Sequence, residues 1–173
     1  MGDLAKLAEL LRRRGAIEAE IANLIDRPAE RGHVGEYIAK HVFDIRMHIS
    51  ASHKGSDGIF ASGPLAGRSV NVKFYATQQF LLDVTLDAAP DYYLVLAGPT
   101  NRAASSRGAS YPWEVSSVHL FQSVTLLEGL YARGVKLGVA TSIAQHFWQI
   151  AEVYPTARSS LIVLSDGQRK QLA

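Results

Sequence analysis

Apolar residues at Leu4, Leu7, Ala8 and Leu11 recur at i, i+3, i+4 and i+7, which predicts an amphipathic helix over 3–14 with Gly15 as its stop. The pattern resumes over 16–25 at Ile17, Ile21, Ala22, Leu24 and Ile25, so a helical hairpin is expected, closed by the break Asp26-Arg27-Pro28. A third helix is expected over 34–43. Two short strands should follow, near 46–50 and 58–61, then a turn at Ser62-Gly63-Pro64 and a strong strand over 68–74. Together these give a helix followed by an antiparallel meander. Beyond a polar stretch at 76–79, the apolar segment 80–86 fits no single element type. Residues 91–96 read as a buried strand, and 98–112, rich in Gly, Ser, Ala and Asn, as a long loop. A strand over 113–121 and a helix over 124–132 come next. A second helix is expected over 141–153, with Thr141 or Ser142 as N-cap and Tyr154-Pro155 as its end. The run 160–164 is a candidate edge strand, and the remaining residues read as a polar tail. No internal repeat or low-complexity segment interrupts the pattern.

Composition narrows this picture to one globular domain. The 173 residues suffice for a core without staples, and 47% hydrophobic with 20% charged residues is ordinary for a folded protein. The expected division is an N-terminal helical extension over 1–32 and an α/β domain over 33–173. With no cysteine, disulfides, thiol catalysis and cysteine-ligated metal centres are excluded. A net charge of +2 and a pI of about 8.9 are compatible with a polyanionic partner without arguing for one. The N-terminus carries its basic cluster behind the apolar residues, the wrong order for a secretory signal. No apolar run approaches the roughly 18 residues of a membrane span. These features predict a cytoplasmic protein with no membrane association.

The candidate chemistry lies in the meander. Residues two apart on a strand share a face, so Asn71 and Lys73 project together while Val70, Val72 and Phe74 point into the core. Asp57 opens the preceding strand beside Gly58, where a hairpin brings it close to Asn71 and Lys73. Oxygen ligands and a cation at one place are what metal-assisted phosphodiester cleavage requires.

Glu36 in HVGEYIAKH, the turn Lys54-Gly55-Ser56-Asp57, and Asn71-Val72-Lys73 in RSVNVKF resemble the PD-(D/E)xK, or restriction-endonuclease-like, nuclease superfamily. Within it, the resemblance is to a branch of small uncharacterised bacterial proteins. The matching part runs from Gly35 to Gly98 and includes Asp91-Tyr92-Tyr93-Leu94-Val95, which resembles the fourth core strand of such nucleases. The resemblance implies a restriction-endonuclease-like α/β core, with a central mixed β-sheet flanked by helices. It implies a Mg²⁺- or Mn²⁺-dependent endonuclease acting on DNA, related to restriction or defence. Asp57 would be the main metal ligand, Glu36 would hold a metal-bound water or second ion, and Lys73 would orient the attacking water and stabilise developing charge. Asn71 stands where the family has a second carboxylate. An amide oxygen can ligate Mg²⁺ but brings no charge and cannot act as a base. A catalytically degenerate nuclease-fold protein that binds nucleic acid or a protein partner is therefore the alternative.

Ordinary readings stand beside these. Glu36 and Lys40 are spaced as a solvated i,i+4 pair, Asp57-Gly58 suits a plain turn, and Asn71 and Lys73 suit the wet face of an edge strand. Arg102 and Arg107 in the long loop, with Lys54, are candidate phosphate contacts against the simpler reading of a solvated loop. His33, His41, His48 and His53 lack the HxxxH spacing of a helical zinc pair and are expected to play surface or hydrogen-bonding roles. Trp113, Trp148, Phe121 and Phe147 are expected in the core. Neither a GxxxxGK[ST] phosphate loop nor a GxSxG nucleophile motif is present. The N-terminal helices are a candidate assembly surface, with a homodimer as the expected form.

Overall fold

The computed structural model describes residues 2–49, 55–100 and 113–173. The first element is a single helix, α1 (Asp3–Ile25), where the sequence had predicted a hairpin. One glycine costs a helix only about 1 kcal/mol, and Gly15 meets no neighbouring atom, so the apolar period runs through it. The helix stops instead at Asp26, which takes the left-handed conformation (φ 54°) and donates its N–H to the Ala22 carbonyl.

Helix α2 (Arg31–Phe43) leads into an antiparallel meander of β1 (Ile45–Met47), β2 (Gly58–Phe60) and β3 (Ser69–Tyr75). The expected turn at Ser62-Gly63-Pro64 overlaps a short 3₁₀ segment, Gly63–Leu65. Strand β5 (Tyr92–Ala97) pairs parallel to β3, and β6 (Ser117–Gln122) pairs antiparallel to β5. Helix α3 (Ser123–Tyr131) follows directly.

The expected helix over 141–153 is three elements. Thr141–Ser142 form β7, paired with β4 (Leu81–Leu82); Gln145–Ala151 form α4; and Glu152–Tyr154 form β8, which pairs with β6. The Thr141 hydroxyl closes a turn by donating to the Gly138 carbonyl (2.7 Å), so it does not cap a helix. The apolar run 160–164 adds no strand; it buries Leu164. Nor is the C-terminus a tail. It forms α5 (Asp166–Leu172), started by a capping box between Ser165 and Gln168 and docked through buried Leu172 and a Gln168 bond to the Val42 carbonyl.

The result is an α/β architecture: a six-stranded mixed sheet in the order β1-β2-β3-β5-β6-β8 with helices on both faces. One core joins α2 and Leu172 to Val70, Val72, Tyr92, Leu94 and Leu120. The other packs Leu126, Ile143 and Trp148 on Tyr93, Val95 and Phe121. Strand β5, buried along its whole length, is apolar without alternation because both faces are covered. The crossover from β3 to β5 carries no helix. It runs extended over the second face, burying Leu82 and Val84, while the N–H groups of Asp83 and Thr85 donate to the hydroxyls of Tyr75 (3.1 Å) and Tyr93 (3.1 Å). Among the described residues, no helix is long and apolar enough to cross a membrane.

Candidate functional site

Asp57 lies at the end of β2, where β2 and β3 part. Its N–H donates to the Val70 carbonyl (2.9 Å), and its Oδ2 accepts from the Val72 N–H (2.7 Å). The residue thus spans Asn71, and its carboxylate takes the place of a ladder partner. Gly55 (φ 80°) makes the preceding turn and is pressed against the Ala88 carbonyl, where a Cβ would sit 1.7 Å from the oxygen.

Asn71 is buried at 7% exposure on a strand flanked by β2 and β5, which overturns the reading of a wet edge strand. Its Oδ1 is buried and has no hydrogen-bond partner among the described residues. Such an acceptor carries a desolvation penalty of about 1–3 kcal/mol that a donor or a cation would relieve. Lys73 lies two residues on, opposite Val95 in the parallel register, so it shares Asn71's face. It is half-buried and forms no ion pair among the described residues.

Glu36 reaches the neighbourhood from the other side of the sheet. Gly35 lets α2 approach β3 so closely that a Cβ there would lie 2.8 Å from the Phe74 Cβ. Glu36 pairs with Arg27 rather than with Lys40. Glu36 and Asp57 then line one cleft of about 840 Å³, between the end of α1, α2 and the β1–β2 end of the sheet. Asn71 and Lys73 do not line it. The structure therefore divides the four expected residues into two overlapping groups, Glu36 with Asp57 on the cleft and Asp57 with Asn71 and Lys73 on β3. Asp57 is common to both, bordering the cleft and abutting Asn71.

The cleft sets further charged and polar residues around Glu36 and Asp57. Among the described residues, three carboxylates, Asp26, Glu36 and Asp57, line it with two fixed cations, Arg27 and Lys40. His33 and His48 also line it. His48 Nε2 lies 3.0 Å from Ser56 Oγ, and the Ser56 hydroxyl donates to the Gly58 carbonyl. His33 bonds the Pro28 carbonyl (2.9 Å); both histidines take the hydrogen-bonding roles expected of them. The spacing of the chain gave no signal for Arg27, which lies nine residues before Glu36 and outside any helical pairing.

Trp113 departs from the expectation of a core position. It is 50% exposed, and the Arg31 guanidinium sits 4.5 Å from its ring centre and 5.1 Å from that of Phe74. Trp148, Phe121 and Phe147 pack in the second core as expected. Lys54, His53, Arg102 and Arg107 lie outside the described residues.

As a divalent-cation site the donor set fits in part. Asp57 has one carboxylate oxygen beyond its bond to Val72, and the Asn71 carbonyl oxygen is unsatisfied, both hard oxygens of the kind Mg²⁺ takes. Glu36 is engaged by Arg27. Among the described residues no group of three or more His, Asp or Glu side chains converges as a metal cage. No protein-family model matches the chain, and no curated protein matches it.

Proposed function

We propose that this chain is a nuclease-like protein of the restriction-endonuclease-like class that hydrolyses DNA phosphodiester bonds with Mg²⁺ or Mn²⁺, in a restriction or defence role. The observation that carries this reading is the unsatisfied Asn71 oxygen on the strand to which Asp57 bonds, with Asp57 itself bordering a cleft where the described carboxylates outnumber the described fixed cations. A phosphate enters such a cleft favourably only once a cation offsets the carboxylates. Asp57 and Asn71 would hold that ion. When bound, it would neutralise phosphate charge and supply a more acidic water. Lys73, on Asn71's face, offers an ammonium to the negative charge that develops at the phosphate. Glu36, on the same cleft, would supply the second carboxylate if Arg27 turned from it to pair with the phosphate.

The test is incubation of supercoiled plasmid with Mg²⁺ or Mn²⁺. Nicking that EDTA abolishes, and that falls by about 10²–10³-fold in Asp57→Ala and Lys73→Ala, is the expected outcome. Calorimetric titration of Mn²⁺ gives a readout independent of turnover. Asn71→Asp should tighten binding by about tenfold, or 1.4 kcal/mol. No cleavage with either metal, or full activity in both alanine variants, would count against the proposal.

The Glu36–Arg27 ion pair and the amide at position 71 favour a second reading, a non-catalytic protein of the same fold that binds DNA or a protein partner. Under this reading DNA binding survives EDTA and weakens steeply with salt. Efficient cutting by the wild-type protein excludes it.

A further inference from the structure

Helix α1 has 23 residues and buries none of them. Only its C-terminal part is supported by the body: Glu18, Ile21, Ala22 and Ile25 are half-buried, whereas everything before Glu18 is exposed. Helices in proteins persist chiefly by burying an apolar face. That face exists here. Leu7, Leu10, Arg14, Ile17, Ile21 and Leu24 follow one another in alternating steps of three and four residues, the spacing of a coiled-coil seam. Leu7, Leu10, Ile17 and Leu24 on this seam are each at least half exposed. Among the described residues, the sheet and α2 leave them without a partner.

Charge identifies the occupant. Up to residue 14 the helix carries Lys6, Arg12, Arg13 and Arg14 against Asp3 and Glu9; from residue 15 it carries Glu18 and Glu20 and no cation. One half is positive and the other negative, so the helix is complementary to itself when reversed. We propose that α1 pairs antiparallel with α1 of a second copy of this chain. In that register Leu7 meets the partner's Leu24, Leu10 meets the partner's Ile21, and Arg14 lies against the partner's Ile17 while keeping its own ion pair with Glu18 (2.8 Å). Arg13 comes beside the partner's Glu20. A parallel pair would instead stack Arg14 on Arg14 in one layer, which like-charge repulsion disfavours. The opposed helix dipoles favour the same orientation. Leu24 and Ile25 also line the cleft, so the pairing sets the two clefts at opposite ends of the helix pair. This inference does not depend on the proposed nuclease activity.

Sedimentation velocity over a range of micromolar concentrations reads the assembly. A dimer is expected for the wild-type chain and a monomer for Leu10→Glu/Ile17→Glu, with the near-ultraviolet signal of buried Trp148 unchanged. The chain has no cysteine, so introduced thiols report orientation without interference. On mild oxidation Leu7→Cys/Leu24→Cys should form a covalent dimer, and Leu7→Cys alone should not. A wild-type monomer at every concentration, or a dimer untouched by the two glutamates, overturns the pairing. Rapid cross-linking of Leu7→Cys alone overturns its antiparallel sense.

Discussion

Buried polar residues divide by whether the chain satisfies them. Asn71 is unsatisfied, which is why it carries the functional proposal. His119 is the opposite case. Its Nδ1 donates to the Trp148 carbonyl (2.9 Å) and its Nε2 accepts from the Ser117 hydroxyl (3.1 Å), tying β6 to α4. Burial holds this imidazole below the usual histidine range, outweighing the opposite pull of the Trp148 carbonyl and Glu152. In the unfolded chain it titrates near 6.5. Between that value and the lower one in the fold, the unfolded state binds more protons, so stability falls as pH drops through this window. Thermal unfolding midpoints measured from pH 7.5 down to 5 should therefore decline, and His119→Gln should flatten the decline while lowering the midpoint at neutral pH. An unchanged slope in the variant would remove His119 from the account. Nothing in the sequence marked this histidine or Arg27, because each is defined by a partner that only the folded chain brings near.

At the scale of elements, local pattern served well where one face is buried and the period is clean. The meander, β5, β6 and α3 lie close to where hydrophobic spacing put them. Errors arose where a single residue was given too much weight, as with Gly15, or where a pairing partner decided the outcome. Thr141–Ser142 and Glu152–Tyr154 are strands because β4 and the edge of β6 are there to receive them. The capping box of α5 was legible in Ser165 and Gln168 and was hidden by the polarity of the segment. The packing of α2 on β3 rests on Gly35. A methyl there would meet the Phe74 Cβ at 2.8 Å, so Gly35→Ala should destabilise the protein by about 1–3 kcal/mol in urea unfolding. Gly32→Ala on the same helix meets nothing within 4 Å and should be neutral or stabilising by up to about 1 kcal/mol. Equal effects at the two positions would show that the close approach is not what Gly35 provides.

For the molecule as a whole, the body and the first helix are energetically distinct. The two cores draw no buried residue from α1. Deleting residues 2–24 should leave a cooperatively unfolding body. It should also abolish any dependence of the unfolding midpoint on protein concentration, since a dimer's stability includes its association. Loss of cooperative unfolding on this deletion would show that α1 is part of the folding unit.

What the sequence determined by itself was the α/β class, the helix-and-meander order, and the nearness of Asp57 to the Asn71-Val72-Lys73 strand. These follow from short-range rules: strand alternation, helical periodicity and the reach of a hairpin. Only the tertiary structure decided that β3 is central, that Asn71 is buried without a partner, that Glu36 is held by Arg27, and that Asp57 borders both the cleft and Asn71. The first two depend on the parallel pairing of β3 with β5, and the others on the docking of α1 and α2 against the β1–β2 end of the sheet. Such contacts are fixed by burial summed over both cores, and no local window of residues contains that sum.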